Sequence, residues 1–87
     1  MWFVIYERMR VVIAQLDTVF FDGEASSATF PGTEGELTVL PEHMPLVTTL
    51  SKGVITVRAE MLPNGQQKFP VEGGVLEVRS DGATVIL

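Results

Sequence analysis

His43 is the only histidine in the 87-residue chain, and its imidazole is the side chain best suited to act as a base or a neutral metal ligand near pH 7. A zinc-type site wants three or four ligands, and the chain offers no second His and no Cys. Glu34, Glu36 and Glu42 are the nearest carboxylates, at no recognised ligand spacing. Ser26, Ser27, Ser51 and Ser80 could in principle be nucleophiles, but none occupies a Gly-x-Ser-x-Gly elbow. The Gly73-Gly74 pair in "VEGGVLEV" is followed by a strand pattern, where a phosphate-cradling loop requires the start of a helix. These glycines are read as a bulge or a close backbone approach. Local chemistry thus indicates no catalytic, cofactor or metal site, and His43 reads as a loop residue making hydrogen bonds or an interface contact.

The elements around these residues are strands. Apolar residues make up 46% of the chain and charged residues 20%, a balance that folds. At this length one domain, residues 1–87, buries roughly 60 to 65% of the unfolded surface, which leaves little room for a deep cleft. Without cysteine it is held by packing or by a partner. A net charge of −5 with no Lys/Arg run argues against nucleic acid and against acidic partners. The opening "MWFVIYERMR" has five apolar residues after Met1, far short of the roughly 20 that span a bilayer, so residues 2–6 are read as part of, or an extension before, the first strand.

Strand-like runs follow: "MRVVIAQ" and "TVFF" before Asp22-Gly23, then "EASSATF" before Pro31-Gly32. "ELTVL" puts Leu37 and Val39 on one face and Thr38 on the other. "GVITVRAEM" and "QQKFPVE" flank Pro63-Asn64-Gly65, and "GVLEVRS" and "ATVIL" flank Asp81-Gly82, both hairpin signals. Only residues 42–46 could hold a turn of helix, limited by Pro45. The pattern predicts an all-β domain, a sandwich or barrel of two antiparallel layers.

The stretches "EGELTVLPEHMPLVTTLSKGVITV" and "FPVEGGVLEVRSDGATVIL" resemble the N-terminal β-sandwich of the epsilon subunit of rotary F-type ATP synthases. Glu34, Gly35, Glu36, Leu37, Pro41, His43, Pro45, Leu46, Gly53, Gly73, Gly74, Glu77 and Val78 meet that family's pattern, as does the upstream Phe21-x-Gly23. The resemblance covers residues 9–87, leaving residues 1–8 as an extension before a homologous start at Met9. It implies ten antiparallel strands in two five-stranded sheets. It also implies a non-enzymatic, cofactor-free rotor subunit that links the gamma subunit to the c-subunit ring and so couples proton flow to ATP synthesis.

Carried across by position, His43, Met44, Leu46, Thr48 and Glu72 are expected at the gamma interface and Glu36 at the ring's polar loops. For Met44 and Leu46 core filling stays open beside that role, and for Glu36 a solvated strand-face carboxylate does. Full-length epsilon subunits continue into a helical hairpin that inhibits hydrolysis and in some relatives binds ATP. The sequence ends at Leu87, so neither property is expected of it. The resemblance further implies a chain that is monomeric in isolation and reaches the cytoplasmic face of a bacterial inner membrane only through its complex. Two other readings are an epsilon-like subunit of a sodium-coupled ATPase and a free-standing ligand-binding β-sandwich.

Overall fold

The structure is a computed structural model that describes residues 8–42 and 44–87. Among them are nine strands: β1 (Met9–Gln15), β2 (Thr18–Ala25), β3 (Ser27–Gly32), β4 (Gly35–Val39), β5 (Leu46–Leu50), β6 (Gly53–Arg58), β7 (Gln66–Val71), β8 (Gly74–Arg79) and β9 (Gly82–Ile86). Hydrogen bonding runs in the order β2-β1-β9-β8-β5-β3-β6-β7, with β4 paired to β3. One pairing, Gly32 with Leu50, joins β3 to β5 and marks the fold line between a five-stranded layer and a four-stranded one. The curl brings the far edges together. Phe21 of β2 meets Phe69 of β7 edge-to-face with ring centroids 5.7 Å apart.

The all-β sandwich is as expected, but two details differ. There are nine strands among the described residues, because the longer connections cannot extend: residues 40–45 carry Pro41, Pro45 and a left-handed Glu42 (φ 64), and residues 63–65 form a 3-10 turn. β1 and β9 pair in parallel, Arg10 beside Gly82 through Ala14 beside Ile86. These strands are far apart in sequence, so no tight turn forces them antiparallel. The reading of residues 2–6 as a strand extension lies outside the described residues.

The alternation in "ELTVL" holds, with Val39 buried, Leu37 half-buried and Thr38 exposed. Val11, Ile13, Leu76, Val78 and Val85 from one layer and Phe30, Val39, Ile55 and Val57 from the other form a single buried core. The Asn64-Gly65 turn also holds, with φ of 55° and 76°.

Three other glycine-marked turns are displaced. Asp22-Gly23 lies within β2 and Pro31-Gly32 ends β3, while the loops that turn the chain are Leu16-Asp17 and Thr33-Glu34. Gly82 opens β9, so the hairpin loop is Ser80-Asp81. Gly82 serves close approach, since a Cβ there would collide with the backbone oxygen of Arg10. Gly74 does the same at φ 149, where a Cβ would lie 2.8 Å from the Ile86 oxygen.

Candidate interaction surface

The strand directions sort the loops into two ends. One end gathers the 16–17, 33–34, 51–52 and 72–73 connections; the opposite end carries Ser26 and the 40–45, 59–65 and 80–81 connections. The expected interface residues follow β5 between them. Met44, 78% exposed, stands just before the strand, so core filling does not describe it. Leu46 is half-buried and packs against the core, leaving part of its side chain at the surface. Thr48 shares that inward side, across from Leu76, and its hydroxyl donates a long hydrogen bond of 3.4 Å to the Thr49 carbonyl. His43 lies outside the described residues.

Glu72 sits at the far end of this strip, where its carboxylate is 4.0 Å from the Lys52 ammonium, both well exposed. That distance in water gives a weak, screened pair. Glu36 lies on β4, opposite Pro31 and at the same end as Glu72. Asp17 and Glu34 occupy turns of that end too, so four carboxylates meet one cation, Lys52, among the described residues there. Met44 is at the other end, so Met44, Leu46, Thr48 and Glu72 are strung along one edge instead of gathered in a patch.

Strand order adds a surface that no single segment revealed. Cross-strand register aligns Thr49, Val75, Ile86, Ala14 and Val19 in one row across the outer face of the five-stranded layer. Val75, Ile86 and Val19 are all exposed, and Val47, 69% exposed, stands in the next row beside Glu77. Single exposed apolar residues are ordinary; a contiguous row marks a contact surface. Towards the opposite end the same face becomes charged. Arg10 donates from Nε and Nη2 to the two carboxylate oxygens of Asp22 at 2.8 and 2.7 Å, and Arg79 reaches Glu77 at 2.9 Å and Asp81 at 3.4 Å. The Arg10 hydrogen bonds hold the Asp22 carboxyl below the ordinary carboxylate range; desolvation opposes them, and attraction between the charges adds a lesser lowering.

Among the described residues no three His, Cys, Asp or Glu side chains converge as a metal site, and no helix is long and apolar enough to cross a membrane. The arrangement suits recognition: an apolar row, a charged border and an acidic end.

Comparison with known proteins agrees with this anatomy. The family described as "ATP synthase, Delta/Epsilon chain, beta-sandwich domain" matches residues 8–87. The chain is 37% identical over 78 residues to the ATP synthase epsilon chain of Herminiimonas arsenicoxydans, covering 90% of this chain and 55% of that protein. It is 38% identical over 79 residues to ATP synthase epsilon chain 2 of Burkholderia orbicola, covering 90% and 51%. It therefore spans little more than half the length of these curated relatives. The fold is similar to a chain in the Euglena gracilis mitochondrial ATP synthase (OSCP/F1/c-ring), with a TM-score of 0.81 at 21% identity, covering 95% of this chain and 52% of that one. A chain in the Tetrahymena thermophila mitochondrial ATP synthase central stalk and c-ring gives 0.70 at 19% identity, covering 95% and 65%.

Proposed function

Because the chain belongs to the beta-sandwich domain family of ATP synthase delta/epsilon chains, we propose that it acts as the N-terminal sandwich of an epsilon subunit, a non-catalytic adaptor between the gamma subunit and the c-subunit ring of an F-type ATP synthase. Its role is mechanical: it ties gamma to the ring so that ion-driven rotation reaches the catalytic heads. In a bacterium this places it on the cytoplasmic face of the inner membrane, held there by the complex.

The observation that carries this reading is the segregation of surface chemistry. An adaptor needs two unlike contacts, and the sandwich presents an apolar exposed row on one face and an acidic end beyond it. Gamma is assigned to the β5 edge, with His43, Met44, Leu46, Thr48 and Glu72, and to the adjoining row of Val47, Val75 and Ile86. Such an interface holds by area, about 1,200 to 2,000 Å² in total for a stable complex. Glu36, on the acidic end, is assigned to a basic side chain of the ring's polar loops. An exposed pair of that kind contributes about 0.2 to 1 kcal/mol, enough to orient the contact and too little to bear rotary load.

Co-purification tests the reading. The tagged chain isolated from its native membrane is expected to bring gamma and c subunits with it; recovery alone, or with a bound sugar, overturns the adaptor role. Glu36→Lys is expected to weaken ring assembly more at low salt than at high salt, because screening removes exposed charge contacts. An effect independent of salt removes Glu36 from the ring contact.

A further inference from the structure

The β1–β2 hairpin turns at the acidic end on a short loop, Leu16-Asp17, closed by Gln15 opposite Thr18. Leu16 is 97% exposed, more than any other large apolar side chain among the described residues. Its backbone is left-handed, at φ 52, a conformation that hairpin loops of this length normally give to Gly, Asn or Asp. Leu16 therefore works against the fold twice, through a backbone strained by its own Cβ and through an apolar side chain left in water. Strain of that kind points to a use outside the chain. The register of β1 and β2 slips in the same hairpin, between Ile13 and Ala14, and leaves Phe20 as the bulged residue with its ring 47% exposed. This is the end of β1 remote from Arg8, by about 25 Å along the strand.

Building on the adaptor reading, we propose that Leu16 is the anchor of the contact with the ring, its side chain seated in an apolar notch of the ring's polar loops that has a basic rim. Charge selects that occupant. Asp17 adjoins Leu16, and Glu34, Glu36 and Glu72 stand at the same end against one cation, Lys52, among the described residues there. A surface that closes over Leu16 approaches these carboxylates and must bring Lys or Arg with it. A second copy of this chain would set acidic end against acidic end, and an anionic lipid surface would be repelled as well. Magnitudes divide the work between the groups. An exposed pair at Glu36 changes affinity by at most about fivefold, whereas full burial of a leucine is worth about ten- to a hundredfold. The carboxylates orient the contact, and Leu16 holds it.

Binding of the 87-residue chain to a purified gamma–c-ring complex and to gamma alone, each at low and at high salt, tests this. Leu16→Asn keeps a residue that accepts a left-handed backbone and removes the apolar side chain. Its denaturant midpoint is expected to equal or exceed that of the parent. Its affinity for the gamma–c-ring complex should fall about tenfold or more at both salt concentrations, because an apolar contact is not screened, and its affinity for gamma alone should not change. Leu16→Met, which keeps the apolar volume, should bind the complex within about threefold of the parent. If the parent binds the complex no more tightly than gamma alone, the ring contact of the adaptor reading falls and the anchor with it. If the parent gains from the ring and Leu16→Asn gains as much, the anchor alone is overturned. A lowered midpoint in Leu16→Asn, an equal loss against gamma alone, or a loss confined to low salt also overturns it.

Discussion

The two outer faces of the sandwich come from the same alternation of side chains and end in opposite states. On the four-stranded layer the outward row is Thr38, Thr29, Thr56 and Lys68. Thr29 and Thr38 share a 2.9 Å hydrogen bond, and Arg58 donates to the Thr29 hydroxyl at 2.8 Å. That row satisfies itself, while the next row of the same face carries Val54, 46% exposed, beside Pro70. On the five-stranded layer the corresponding row is Val75, Ile86, Ala14 and Val19, with nothing among the described residues laid over it. Leaving apolar side chains in water forgoes about 25 cal/mol per Å² that burial would return. The contrast teaches that a closed polar ladder is a finished surface, whereas an open apolar row is half of a contact.

The largest effect is expected from breaking the layer that carries the row. In Gly82→Ala the new methyl collides with the Arg10 backbone where β1 and β9 pair. A loss of about 2 to 4 kcal/mol is expected from forced backbone movement, read as a lowered denaturant midpoint. A change below about 0.5 kcal/mol would mean that the seam between β1 and β9 yields easily.

Next comes the direct contrast of the faces. On the proposed gamma contact, Ile86→Glu should weaken binding of gamma by about tenfold or more with stability within about 1 kcal/mol, whereas Thr56→Glu on the other face should leave binding unchanged. Titration of each variant against purified gamma distinguishes them, and equal losses would erase the distinction. Within the polar face, Thr29→Val removes the acceptor of Arg58 and the partner of Thr38, for an expected loss of about 1 kcal/mol by chemical denaturation.

The smallest effect concerns the charged border of the apolar face. Asp22 has a lower pKa folded than unfolded, so its contribution is present above the unfolded value and fades as pH falls through the folded one. Asp22→Asn should flatten the acid limb of the stability-against-pH curve and leave alkaline stability alone. An unchanged acid limb would show that the Arg10 pair adds nothing.

The sequence shows the strands and part of the surface for definite reasons. Period-two runs such as "ELTVL" are dictated by the inside and outside of a sheet, so they survive in any register. Asn64-Gly65 was legible because both residues need positive φ. Gly23, Gly32 and Gly82 carried the same letter for another purpose, the close packing of Phe21, the Gly35 carbonyl and the Arg10 backbone. The turn at Leu16-Asp17 had no signal, since Leu16 adopts φ 52 without being Gly or Asn. The apolar row was hidden for a further reason. Each of its strands supplies one ordinary residue, and only the order β2-β1-β9-β8 sets them side by side.

The place of β1 and β9 in that order bears on how the domain is made. Among the described residues, the first and last strands in chain order lie side by side within the five-stranded layer, with β2 and β8 as their outer neighbours. On the ribosome, β1 therefore waits for nearly the whole domain to be translated before its parallel neighbour exists. Until then its inner flank is a bare edge of unpaired amides and carbonyls, a template for sticking to other nascent chains. Completion is a late event that zips the layer across its greatest sequence separation, so formation of the β1–β9 seam should set the pace of folding.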